Sequence, residues 1–236
     1  MLNRPNSAPN PALDARRSVS GAMREQLRES PPTPFDWATF DPAGALRDGG
    51  TSPDLRLASL ARLLCTAPAR SAELRALWNE SLTTGAAALR LAPHLNADPG
   101  TSAIAGLLHR LGDILTIRAI GTIEHAARVR LDAASKSDLC TEHGGELLES
   151  VVRAWGVPPR AAATAAEWRR LREFPGAAAE ATAVYLGRLV AIEIVSPQFC
   201  APGVVDRAAA EAGLPAEALS AVRADATIAR VLNSQQ

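Results

Sequence analysis

At 236 residues the chain suits one large domain or a domain plus an appendage, and its 47% hydrophobic content is that of an ordinary globular protein, but with only 4% aromatics its interior must be filled by Leu, Ala, Val and Ile. Its 25 basic and 25 acidic residues leave no net charge, which removes the electrostatic basis for a dedicated nucleic-acid or membrane-surface binder. Cys65, Cys140 and Cys200 stand far apart in no metal-ligand spacing, and neither a long apolar run nor a leader pattern is seen, so the sequence predicts a cytoplasmic protein without disulfides, zinc or a membrane span.

Residues 1–54 are rich in proline, with one helix-compatible stretch at about 12–28, and read as an arm or a partial helical subdomain, loosely packed. From Leu55 the pattern changes. Leu74, Leu77, Trp78, Leu82, Gly85, Leu89 and Ala92 recur three or four apart, with Ser71 as N-cap, Glu73 in the first turn and Pro93 as the stop. Asp98-Pro99 opens a second helix whose stripe is Ile104, Leu107, Leu108, Leu111 and Leu115. Further helices are predicted at 122–134, 141–155 (ending at Gly156), 158–173, 177–195, 204–212 and 215–232, the 177–195 segment being apolar on nearly all sides and therefore central. No segment alternates as a strand would, so residues 55–236 are expected to form an all-α, irregular orthogonal helical bundle.

Three segments stand out: LWNESL at 77–82, AGLLHRLGDIL at 105–115 and TEHGGELLESVVRAWGVPP at 141–159. Through Leu77, Trp78 and Ser81, then Gly106, Leu107, Leu108, His109 and Gly112, then His143, Trp155 and Pro158, this order and spacing resembles the HDOD family, a relative of the HD-type metal-dependent phosphohydrolases. A weaker likeness covers LNRPNSAP at 2–9. The resemblance implies an HD-domain-like bundle and marks Glu80, His109, Arg110, His143, Trp168 and Arg169 as the positions where a metal site would stand in the family, with a late aspartate position near Gly187-Arg188. A dinuclear site needs several imidazoles and a carboxylate that bridges the cations. Of the family's ligands only His109 and His143 remain, and Arg110 in place of the bridging aspartate puts a guanidinium where a cation would sit. The expectation is no catalytic residue, no metal and no cofactor, with Glu80 and Arg110 ion-paired as the link between two helices.

The leading functional reading, implied by the resemblance, is a non-catalytic regulatory domain of a bacterial signalling pathway that works through a protein partner or as a homo-oligomer, with no nucleic acid. A second reading is a divergent phosphohydrolase that gathers Glu80, His109, Asp113 and His143 around one metal. A third is a phosphate or nucleotide sensor in which Arg110, Arg169 and Arg188 receive the anion. Blander readings accompany each residue. His109 is commonly a core histidine paired with Glu80 or a carbonyl, and His143 makes a buried hydrogen bond while Glu142 and Glu146 favour a helix N-terminus. Trp78 and Trp155 are core, Trp168 plugs the vacated pocket, His94 and His125 are surface residues, and the arginines of WRRLREF (168–174) form a charged helical face. Ser81 has no base in view for nucleophilic chemistry.

Overall fold

The computed structural model describes residues 40–47, 55–67, 70–167 and 178–225, with Gly21 and Trp37. Among the described residues the chain is helical and contains no strand. The helices are α1 (Pro42–Arg47), α2 (Leu55–Leu64), α3 (Ser71–Leu91), α4 (Pro99–Leu108), α5 (Leu111–Ala127), α6 (Ala133–Ala154), α7 (Pro159–Glu167), α8 (Ala179–Val195), α9 (Val204–Glu211) and α10 (Ala216–Arg223). The all-α expectation holds. The predicted helix at 12–28, apart from Gly21, and the continuations predicted over 168–173 and 226–232 lie outside the described residues.

The 21-residue α3 is the axis of the bundle and packs most extensively on α8 and α4. Its second half, Gly85 to Ala88, is small on every side, and glycines on its neighbours exploit this. A Cβ on Gly106 of α4 would lie 2.7 Å from the Gly85 Cα, and one on Gly187 of α8 would lie 2.9 Å from the Thr84 carbonyl oxygen, so both helices reach α3 backbone to backbone. Such approach is open only to residues without a Cβ. A third crossing joins α5 to α6, where a Cβ on Gly112 would collide with the Gly144 carbonyl. Trp78 and Trp155 are buried as the pattern predicts, at 1% and 3% exposure. Part of the proline-rich region also belongs to the core, contrary to a loosely packed arm. Trp37, Phe40 and Leu46 are buried, and Trp37 stacks on Trp155 with ring centroids 6.4 Å apart. A chain with few aromatics uses one of them here to cover the end of α6.

Several boundaries differ from the sequence pattern, each for a local reason. Ser71 is not the cap but the first helical residue, its hydroxyl donating to the Ala67 carbonyl at 2.7 Å. Pro93 does not stop α3 abruptly; the helix tightens into a 3-10 turn, Ala92–Leu95, that contains it. The stripe from Ile104 to Leu115 is not one helix: the chain turns at His109-Arg110, where Arg110 has φ −100° and ψ 3°. No separate helix covers 122–134. Instead α5 runs to Ala127 and ends at Arg128, a left-handed residue with φ 55°, and α6 starts at Ala133, well before residue 141. Asp132 caps α6 by accepting from the Ser135 N–H at 2.7 Å. The connection is pinned by the buried carboxylate of Glu124, which accepts from the Leu131 N–H at 2.7 Å and from the Arg70 guanidinium at 2.6 and 2.8 Å.

The α5–α6 crossing supplies a direct test with an internal control. Gly112→Ala forces two backbones apart and is expected to lower stability by about 3 kcal/mol in denaturant unfolding. Gly145→Ala, next to Gly144 on α6 and with open space where its Cβ would go, is expected to gain about 0.5–1 kcal/mol from helix propensity. Equal effects of the two changes would contradict the close crossing.

Candidate functional site

The turn between α4 and α5 presents two consecutive residues in different ways. His109 follows α4 in helical geometry and is driven into the core, fully buried. Its Nδ1–H donates to the Gly106 carbonyl at 2.6 Å, and its Nε2 lies 3.8 Å from Glu80 Oε1. Arg110, at the bridge-region turn, lies at the edge of the domain. One of its terminal nitrogens is 3.6 Å from Glu80 Oε1, and its Nε is 3.0 Å from Asp113 Oδ2. From the opposite side α8 contributes Arg188, whose Nε donates to Glu80 Oε1 at 3.0 Å. Glu80 thus stands between α3, the α4–α5 turn and α8, and one carboxylate oxygen serves three nitrogen groups.

Burial by itself raises the Glu80 carboxyl, but the His109 imidazole and the Arg110 and Arg188 guanidiniums overcome it and hold the group down at about 2. His109 moves the other way for its type. Burial pushes its imidazole below the ordinary range, Glu80 pulls upward, and Arg110 adds to the downward push. The cluster therefore holds a carboxylate anion, two guanidinium cations and a buried imidazole whose charged form burial disfavours.

Among the positions singled out in the sequence, Glu80, His109, Arg110 and Arg188 are brought together, and Asp113 joins them through Arg110. The Glu80–Arg110 pair is present. Sequence reasoning missed Arg188 as the better-aligned partner of Glu80 and Asp113 as a partner of Arg110; the i,i+3 spacing of Arg110 and Asp113 was a readable signal for the latter. His143 is buried on α6 with Nε2 3.6 Å from Glu142 Oε1. Because α6 begins at Ala133, Glu142 and Glu146 lie in its middle and on its exposed face, so the expected role at a helix N-terminus is corrected. His94 and His125 are exposed, as expected. Trp168 and Arg169 lie outside the described residues.

The donor chemistry does not suit a divalent metal. The carboxylate that His109 faces is already shared with two guanidiniums. A dication on Glu80 would oppose both, at roughly 4 kcal/mol per pair of unit charges 4 Å apart for an effective dielectric near 20. Among the described residues no three His, Cys, Asp or Glu side chains form a metal-holding group.

Comparison with known proteins agrees with this architecture. The family model of the HDOD domain matches residues 55–169. Among solved structures, the chain is similar to a protein of Shewanella amazonensis SB2B described as "Putative metal-dependent phosphohydrolase", with a TM-score of 0.56 over 99% of this chain and 87% of that one. At 15% identity the likeness is one of fold. No curated protein matches. Among the described residues no helix is long and apolar enough to cross a membrane.

The shift of Glu80 sets a pH test. With its folded value depressed to about 2 from an ordinary 4.5, its contribution is complete above pH 4.5 and is lost as pH falls toward 2. Glu80→Gln is expected to cost on the order of 2–3 kcal/mol at pH 7. Unfolding measured stepwise into acid should show the gap between wild type and variant closing; a gap independent of pH would contradict the ion-paired state.

Proposed function

We propose that this HDOD domain is a non-catalytic regulatory module that acts through contacts with a protein partner. The observation that carries the reading is Glu80. The group that the resemblance puts at a family ligand position is ion-paired to Arg110 and Arg188 beside a buried His109. The helices that would present ligands in a hydrolase are tied to one another here by these charged side chains. A cluster of this kind holds the fold but offers no activated water and no electrophilic centre for phosphoester cleavage. The HDOD family likeness supports a place in bacterial signalling, and the balanced overall charge supports a protein rather than a nucleic acid as partner.

The structure lends less support to an anion sensor at the same place. Arg110 and Arg188 both direct charge at Glu80, and Arg110 also at Asp113, so an incoming phosphate would compete with two carboxylates already in position. The single-metal hydrolase reading requires Glu80, His109, Asp113 and His143 to converge on one ion, and Arg110 stands between Glu80 and Asp113.

Elemental analysis of the purified protein, combined with a screen of nucleotide and phosphodiester hydrolysis in the presence of added Mn, Fe or Zn, tests the reading. The expected result is substoichiometric metal and no turnover above a Glu80→Gln control. Stoichiometric metal with turnover that the Glu80 change abolishes would overturn it.

A further inference from the structure

A groove of about 600 Å³ lies between α3, α5 and α6. The α5–α6 crossing opens it. The two helices touch backbone to backbone at Gly112 and Gly144, and the α6 wall includes Ala133, Ser137 and Cys140, side chains too small to close the gap. Leu77 of α3 and Ile117 of α5 supply apolar surface. The charges around them are already matched within the chain. Lys136 Nζ lies 3.1 and 3.2 Å from the two Glu73 carboxylate oxygens, and Arg110 Nε lies 3.0 Å from Asp113 Oδ2. A charged ligand has to break one of these pairs to gain another, whereas an apolar group enters without disturbing either. The groove therefore selects an uncharged, apolar occupant.

The same chain exposes such a group. Among the described residues two large apolar side chains are exposed, Val129 at 40% and Phe199 at 79%. Val129 stands between Arg128 and Arg130 and would carry two cations with it. Phe199 carries none. It ends the 3-10 turn Pro197–Phe199 that follows α8, a turn fixed by the Phe199 N–H donating to the Ser196 carbonyl at 2.9 Å and the Cys200 N–H donating to the Pro197 carbonyl at 3.1 Å. The turn lies within Ile194 to Val205, the longest stretch of the chain without Asp, Glu, Lys or Arg. Pro197, Gln198, Ala201, Pro202 and Gly203 are exposed around Phe199. The first charges on either side, Glu193 and Asp206, both accept from Arg223 at 2.8 Å. An exposed patch without charge and with an aromatic side chain in its middle has the composition of an interface core.

We infer that Phe199 of one copy seats in the α3–α5–α6 groove of a second copy, so that the chain self-associates. Knob and hole share one character: an apolar centre whose neighbouring charges are compensated within their own chain, so no ion pair has to change partners. The zero net charge removes long-range repulsion between copies. Phe199, at 79% exposure, does not fill the groove of its own chain, and α8 contributes no wall to that groove. Two different patches therefore meet, and the contact is heterologous. The inference deepens the regulatory reading by naming a protein partner, and it is separable from it. A monomeric chain could still serve as a regulatory module with another partner, and metal-dependent turnover would end that reading without touching self-association.

The test is sedimentation velocity of the full chain at rising concentration, up to about 1 mM, where weak contacts become populated. The wild type is expected to sediment faster as concentration rises, with little dependence on salt because no ion pair crosses the contact. Phe199→Ser, at the exposed turn, and Ser137→Leu, at an exposed helix position on the groove wall, should each weaken association at least about tenfold, by withdrawing the aromatic or by filling its space. Circular dichroism should stay that of the wild type for both; Thr141→Leu, exposed on the same wall, replaces the Ser137 variant if it does not. An equal mixture of the two variants is expected to restore a dimer, because the first keeps the groove and the second keeps Phe199. A monomeric wild type, association untouched by Phe199→Ser, association abolished by salt, or a mixture that stays monomeric would each overturn the inference.

Discussion

A single carboxylate, Glu80, sets the arrangement of the centre of this domain. It sits on the axial helix α3 and takes a guanidinium from the α4–α5 turn and another from α8, with a buried imidazole at its side. Three elements remote in sequence therefore meet at one group. Burial of a charged cluster is not in itself stabilising, because desolvation offsets much of the attraction, but removing one member strands the others and is costly. The cluster is best understood as a device that fixes relative position. Here two arginines perform that office.

The glycines make the cluster possible. Gly106 against Gly85 and Gly187 against Thr84 and Ala88 bring α4 and α8 into backbone contact with α3, and only at that distance do arginine side chains from both flanks reach one carboxylate. The same economy of volume at Gly112 and Gly144, followed by small residues on α6, opens the cavity beside Arg110. Tight packing and open space are two results of one pattern, a chain that fills its interior with Ala, Leu and Gly and keeps few aromatics.

Much of this was legible in the sequence. The three-and-four spacing of apolar residues placed α3, α4 and α8, and the opposite charges of Glu80 and Arg110 in segments expected to pack together pointed to an ion pair that is present at 3.6 Å. What stayed hidden depended on tertiary context or weak local signals. Nothing in the composition at His109-Arg110 marks a break, since neither glycine nor proline is there, and the turn is dictated by packing on both sides. The left-handed Arg128 ends α5 without the glycine that usually advertises such a cap. The start of α6 was missed because ASKSD is polar and resembles a loop, although Asp132 and Ser135 formed a readable cap. Arg188 was assigned to an anion site because its position was known only relative to a family pattern; that it reaches Glu80 required the α3–α8 contact.

The most direct measurement is a double-mutant cycle on Glu80→Gln and Arg188→Gln, run by denaturant unfolding at pH 7 in the presence of a chelator. If the carboxylate ties α3 to α8 through this guanidinium and without a metal, the two changes should couple by about 1–3 kcal/mol. Additivity within about 0.5 kcal/mol, or a coupling that appears only when a divalent cation is supplied, would contradict the account.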